Sequence, residues 1–185
     1  IGGGTTDIAL MQKGALLSTK SFALGGRAVT KRIAQEFFCS FAKAEEMKIA
    51  YSNGKLAEAD EMKVRECLGK DCEVWMSGVE MILEEFATGE QDPLPARILL
   101  CGGGAALPEI KKVLREFRWT NNLNMLRKPE ITLMTPTEVA GIIDETGLLN
   151  SQQDITPMGL ANLALQLTGK EKVMDKVMRK VVNLL

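Results

Sequence analysis

The chain has 185 residues, 45% of them apolar and 25% charged, the size and balance of one large or two small soluble globular domains. Its 23 basic and 24 acidic residues leave a formal charge of −1, which argues against a general nucleic-acid binder. No stretch approaches the roughly 18–20 apolar residues of a membrane span, and the absence of His excludes His-dependent triads and most zinc sites.

The first elements read as a β-hairpin. Thr5–Met11 is short and β-branched, Gln12-Lys13-Gly14 turns, and Ala15–Phe22 returns. Gly25-Gly26 breaks this pattern and leads into a helix over Arg27–Phe38, where Ala28, Val29, Ile33, Phe37 and Phe38 recur at helical spacing. A second helix, Ser40–Tyr51, puts Phe41, Ala44, Met47 and Tyr51 on one side and stops at Asn53-Gly54. Residues 60–88 are helix-prone and are expected to divide at Gly69 and Gly78, the second piece carrying Val74, Val79, Ile82, Leu83 and Phe86.

Asp92-Pro93-Leu94-Pro95 reads as a rigid connector. Arg97–Cys101 is a continuous apolar run of the kind found in strands covered on both faces. Gly102-Gly103-Gly104 ends it, and Leu107–Phe117 resumes a helical period. Ile131–Met134 is a further strand, and Pro136 and Pro157 each open a helix. Gly169 reads as a C-cap, with a last helix over 170–184. The order indicates an α/β domain with a mixed sheet and helices packed on it. Cys39, Cys67, Cys72 and Cys101 form no CxxC pair and read as free thiols of a reducing compartment, which points to the cytoplasm.

Three features could carry chemistry. Gly2-Gly3-Gly4 precedes Thr5-Thr6-Asp7; converging backbone N–H groups attract phosphate oxygens, and the hydroxyls and carboxylate could position a water or the shell of a magnesium ion. A tight polar turn explains the same residues. Gly102, Gly103 and Gly104 lie between a strand and a helix, where α/β folds place ligands, although close strand–helix packing also calls for glycine. The segment is neither a Walker A loop nor a GxGxxG fingerprint. Glu45 and Lys48 share a helix face, either as a solvent-exposed ion pair or as hydrogen-bonding groups for a ribose or purine edge.

Together and in this order, these features resemble the C-terminal half of an actin-like ATPase, the ribonuclease-H-like superfamily of actin, MreB, FtsA and DnaK-type chaperones. Ile1–Asp7 looks like its second phosphate motif, D-[IL]-G-G-G-T-[TF]-[DE]. Ile98–Pro108 looks like its adenosine motif, Gly25-Gly26 like its pair before a helix, and Ala44–Lys48 like the helix that serves the adenosine. Gly-Gly-Gly-Thr-Thr-Asp-Ile-Ala and Pro157–Leu165 are most similar to FtsA and the pilus-assembly protein PilM, whereas 55–96 and 119–156 fit no pattern.

The resemblance implies ATP or ADP with Mg2+ as cofactor. Gly3, Gly4, Thr5 and Thr6 would contact the β- and γ-phosphates, and Asp7 would serve the attacking water or the magnesium shell. Gly26 would stand beside them, Glu45 and Lys48 would hold ribose and adenine, and Gly102, Gly103 and Gly104 would line the adenosine, with no direct protein ligand to a metal. It further implies that residues 1–169 are one lobe of a two-lobed clamp whose N-terminal lobe is absent, so that this chain alone binds nucleotide weakly and hydrolyses a negligible amount.

The expected role is that of a polymerising membrane tether in bacterial cell division, with a PilM-like scaffold or a nucleotide-free adapter as alternatives. Its partners would be the missing lobe, further copies in dimers or filaments, and a division or pilus-assembly protein. Residues 170–185, with five basic and two acidic residues and a stripe of Val173, Met174, Val177, Val181 and Leu184, form an amphipathic helix. It suits either an anionic membrane at the inner face or packing against protein.

Overall fold

The computed structural model describes residues 1–89, 92–116, 118–121 and 123–182, with side chains through residue 168. Two compact units result, Ile1–Leu133 and Met134–Leu185.

In the first unit, β1 (Thr6–Gln12) and β2 (Ala15–Phe22) pair antiparallel, with a register irregularity at Leu10/Met11. Gln12 opposes Ala15, so the turn has two residues, and Lys13 (φ 50°) and Gly14 (φ 81°) are both left-handed. That is the type I′ geometry whose twist matches the strands it joins. Thr6 and Leu10 point into the core at the two-residue period, while β2 is largely exposed.

Helix α1 (Gly26–Glu36) buries Val29, Thr30 and Ile33. It ends before Phe38, which has φ 49° and is 95% exposed, so this phenylalanine leaves the apolar stripe expected of it. Helix α2 (Phe41–Ser52) is capped by Ser40, whose Oγ accepts from the Lys43 amide at 3.2 Å. Ala44, Met47 and Tyr51 are buried as their spacing predicts, but Phe41 at the first turn is exposed.

Helix α3 runs unbroken over Glu58–Gly89, contrary to the expected division at Gly69 and Gly78. Each interior glycine costs about 1 kcal/mol of helix propensity. Burial of Val64, Leu68, Cys72, Trp75, Met76, Val79, Ile82 and Phe86 along one stripe outweighs it, at roughly 1.5–3 kcal/mol per large side chain. Gly78 has a packing reason: a Cβ there would lie 2.9 Å from the Phe22 ring. Val74 falls off the stripe and is 64% exposed.

Strands β3 (Arg97–Leu100) and β4 (Glu130–Leu133) pair in parallel. β3 is not covered on both faces: Leu100 is buried, but Leu99 is 47% exposed. A short 3-10 turn, Gly103–Ala106, leads to α4 (Pro108–Arg115), which has proline at its start and buries Ile110 and Leu114. The expected helical residue Phe117 lies outside the described residues. The Tyr51 hydroxyl donates to Glu109, joining α2 to α4, and burial together with that carboxylate pushes the phenol well above its ordinary range. The four cysteines are free, and burial raises the Cys72 thiol to about 12.

The second unit begins with a 3-10 turn at Pro136–Glu138. The Asp154 carboxylate accepts from the Asn150 and Ser151 amides at 3.1 and 3.0 Å just before α5 (Ile155–Val182). That helix is continuous through Gly169, which is therefore not a C-cap and does not separate two helices. The side chains of the predicted amphipathic stripe lie outside the described residues.

Candidate functional site

The three glycine clusters meet around one short stretch of backbone, Ile1–Gly3. Gly2 donates to the Thr5 carbonyl at 2.9 Å, closing a tight turn. The Gly2 and Gly3 carbonyls then accept from the first amides of α1, Gly26 at 2.9 Å and Arg27 at 2.7 Å. This approach requires Gly25 to lack a side chain, because a Cβ there would sit 2.6 Å from the Gly2 oxygen. On the other flank the Ile1 nitrogen donates to the Cys101 carbonyl at 2.7 Å, and Gly104 donates to the Ile1 carbonyl at 3.1 Å. A Cβ at Gly102 or Gly104 would fall 2.4 or 2.5 Å from Ile1 atoms, and Gly102 also has φ 88°. Gly102 and Gly104 are thus demanded by close packing, whereas Gly103 is exposed with open space around it.

The Thr-Thr-Asp segment divides by strand alternation. Thr6 is 2% exposed; its hydroxyl donates to the Leu24 carbonyl at 2.8 Å and accepts from the Trp75 indole at 2.9 Å. Thr5 and Asp7 face outward on the same side, the Thr5 hydroxyl donating to Asp7 at 3.1 Å and Ser21 donating to the other carboxylate oxygen. Gly3, Gly4, Thr5 and Asp7 together form an exposed edge of amides, a hydroxyl and a carboxylate.

Behind the loop, Lys48 and Glu45 form a partly buried network. Lys48 Nζ lies 2.8 Å from Glu45 Oε2, 2.9 Å from Thr30 Oγ1 and 3.2 Å from the Gly26 carbonyl, and its side chain is only 14% exposed. Thr30 Oγ1 is also within 2.5 Å of Glu45. The pair therefore ties α2 to the start of α1, the helix whose first amides hold the glycine loop. Burial disfavours the Glu45 carboxylate, but hydrogen bonds from Lys48 and Thr30 and the positive charges of Lys48 and Arg27 prevail and hold it below its ordinary value. A depressed folded value stabilises the fold fully above the unfolded value of about 4.3 and ceases to do so as pH falls through the folded one. The stability difference between the natural chain and Glu45→Gln, measured by urea unfolding, is accordingly expected to be constant near neutral pH and to shrink below about pH 5.

Sequence reasoning missed Thr30, whose hydroxyl joins Lys48 to Glu45, and Arg27, whose side chain lies along Gly3. The available signal was their position in the first turn and a half after Gly25-Gly26. The enclosed space at the glycine junction, lined by Ile1, Gly25, Gly26 and Gly104, is only about 30 Å3, too small to enclose a nucleotide. Among the described residues no group of three or more potential metal ligands forms.

The family described as "FtsA: Cell division protein FtsA" matches residues 1–148. The chain belongs to the FtsA family. The match takes in 119–148, which the sequence motifs left unplaced. Cell division protein FtsA of Bacillus subtilis is 29% identical over 158 residues, covering 77% of this chain and 36% of that protein. FtsA of Pseudomonas aeruginosa is 35% identical over 120 residues, covering 56% and 29%. The chain thus spans about a third of the length of these FtsA relatives.

Among solved structures, ethanolamine utilization protein EutJ from Carboxydothermus hydrogenoformans superimposes with a TM-score of 0.54 at 22% identity, over 88% of this chain and 47% of EutJ. The PilM-PilN type IV pilus biogenesis complex gives 0.53 at 20% identity, over 88% and 44%. At these identities the likeness concerns the fold alone, and that fold is the actin-like ATPase fold expected from the motifs.

Proposed function

We propose that residues 1–133 of this FtsA-family chain form the nucleotide-facing core of the C-terminal lobe, within the 1–169 span that resembles it, and that the protein acts in bacterial cell division. The observation that carries the reading is the Gly2–Gly4 loop, held against the start of α1 through its Gly2 and Gly3 carbonyls and backed by the Lys48–Glu45–Thr30 network. Exposed Gly3 and Gly4 leave room for phosphate oxygens at their amides, Thr5 adds a hydroxyl, and Arg27 adds positive charge beside Gly3. The single outward carboxylate of Asp7 fits a magnesium ion that keeps most of its water shell, and it is the group in this unit best placed to orient a water beside a phosphate. Bound ATP with Mg2+ would supply the transferable phosphoryl group. Exposed Gly103 would flank the adenosine, while Gly102, Gly104 and Gly26 shape the backbone. Glu45 and Lys48 would position the ribose side through α2.

Cytoplasmic placement at the inner membrane face, self-association into filaments or dimers, and a division partner extend this reading. It is supported by the family match and by a helical backbone that continues through the basic segment to Val182. No described helix is long and apolar enough to cross a membrane. The pilus-scaffold alternative is supported by fold likeness only.

The test is an NMR titration of the chain with Mg2+-ATP. A surface open on one side is expected to bind in the millimolar range, about −4 kcal/mol, with amide shifts at Gly3, Gly4, Thr5 and Gly103. Lys48→Ala is expected to weaken binding by about tenfold through loss of the α1–α2 brace. Shifts confined to other regions, or binding unaffected by Lys48→Ala, would refute the assignment. Hydrolysis by the chain is expected to stay far below that of a version extended upstream.

A further inference from the structure

We propose that Tyr51 and Glu109 are a positioning pair for the nucleotide site, setting the gap between the ribose-side residues of α2 and the adenosine-side turn at Gly102–Gly104. This rests on the nucleotide reading given above and adds to it two residues that act through others. Both are buried, Tyr51 at 4% and Glu109 at 6% exposure, and the Tyr51 hydroxyl donates to Glu109 Oε1. Lys48 and Tyr51 stand three residues apart on α2, so one side of the helix carries both. Lys48 reaches back to the Gly26 carbonyl and Thr30 at the start of α1, whereas Tyr51 reaches across to α4. α2 packs on α1, and α4 packs on α3; the Tyr51–Glu109 bond ties the two pairs together.

From Glu109 a short hydrogen-bonded path leads back to the glycine turn. Ile110 donates to the Leu107 carbonyl at 3.2 Å, Leu107 to the Gly104 carbonyl at 3.3 Å and Ala105 to the Gly102 carbonyl at 3.1 Å. Ala105 and Leu107 are buried, so this stretch has little freedom to move on its own. A shift of α4 against α2 therefore moves Gly103 against Glu45 and Lys48, and the two sides of the adenosine surface lose their fit.

Burial alone does not explain a carboxylate at this place. Glu109 Oε2 has no hydrogen-bond partner among the described residues. The first turn of α4 and the positive charge of Arg65 on α3 offset part of its charge, but Arg65 is itself exposed and bonded to Glu61. A buried carboxylate with one satisfied oxygen stabilises a fold less than an apolar side chain of the same size. What it supplies is a charge-assisted hydrogen bond, stronger than a neutral one, which fixes the Tyr51 side chain and with it the placement of α2. An unfavourable buried group that holds geometry behind a binding surface is the pattern of a positioning residue.

The experiment uses the 185-residue chain carrying both Tyr51→Phe and Glu109→Met, which keep the shapes and remove the bond. Its urea midpoint is expected to equal or exceed that of the natural chain, because both polar partners leave together. In NMR titrations Mg2+-ATP is expected to bind about tenfold more weakly, while Mg2+-tripolyphosphate, which needs only the Gly3–Thr5 edge, changes by less than about twofold. Glu109→Gln alone keeps an acceptor for the Tyr51 hydroxyl and is expected to hold ATP affinity within about threefold. Without any ligand, the Gly103 amide and Lys48 side-chain signals are expected to move in the double variant and to stay near their natural positions in Glu109→Gln. The positioning role is overturned if the double variant binds Mg2+-ATP as the natural chain does, if tripolyphosphate binding falls in step, or if the ligand-free signals stay in place. Should the double variant fail to fold, Tyr51→Phe and Glu109→Gln are compared in the same way, and equal ATP affinity in the two overturns it. If the natural chain binds neither ligand, the nucleotide reading fails by itself, and the ligand-free signals decide whether the pair sets the gap between α2 and the turn.

Discussion

Alanine at Gly102 is expected to destabilise the 1–133 unit by about 3 kcal/mol, whereas alanine at Gly103 changes it by no more than about 0.5 kcal/mol. Gly102 holds φ 88°, a left-handed conformation that costs an L-residue roughly 1–2 kcal/mol. Its new Cβ would also fall 2.4 Å from the Ile1 carbonyl oxygen. That neighbour is backbone, held by hydrogen bonds to Cys101 and Gly104, and cannot swing aside as a side-chain tip would. Gly103 has no left-handed φ and no atom within 4 Å of its Cβ position, so the same methyl group meets solvent. Urea unfolding followed by tryptophan fluorescence checks this directly, because both tryptophans, Trp75 and Trp119, are buried in this unit. Equal midpoints for the two variants would show that the Ile1 contact does not hold the junction together.

The second large effect is expected at Thr6→Val. Valine keeps the shape but removes a hydroxyl that serves the Leu24 carbonyl and the Trp75 indole at once. Both partners would be left without their bond in a region where Thr6 is 2% and Trp75 5% exposed. At roughly 1–3 kcal/mol for each stranded group, the cost should be about 2–6 kcal/mol, with altered Trp75 emission in the folded state. Thr5→Val, one residue earlier but exposed, should leave stability within about 0.5 kcal/mol and reduce Mg2+-ATP binding instead. A stable Thr6→Val chain with impaired nucleotide binding would return the Thr6 hydroxyl to the phosphate role that its motif position implies.

The contrast between neighbours explains how much of the site was legible. The GGGTTD run marks a loop entering a strand, and Gly25-Gly26 marks the start of a helix; both are local matters of glycine freedom and β-branching, and both stand where expected. Which hydroxyl of Thr5-Thr6 faces out depends on which face of β1 meets the core, and that is set by Trp75, distant in sequence. Glu45 and Lys48 are visible as an i,i+3 pair, but the pair reads as a surface ion bridge until Thr30 and the Gly26 carbonyl are brought against it. In the helices, Gly69 and Gly78 look like breaks because propensity is local. Burial along a stripe from Val64 to Phe86 is not local, and it prevails.

The sequence by itself determined the hairpin, the strand–triple-glycine–helix arrangement at 97–115 and the resemblance to the actin-like fold with FtsA and PilM as its most similar members. These rest on short-range chemistry: alternation, glycine φ freedom, proline at a helix start and residue spacing. Only the tertiary structure decided that the three glycine clusters converge on Ile1–Gly3 and that the Thr6 hydroxyl is buried between the Leu24 carbonyl and the Trp75 indole. Those outcomes depend on contacts between residues from about twenty to about a hundred positions apart, such as Thr6 with Trp75 and Ile1 with Cys101, whose geometry no local pattern encodes.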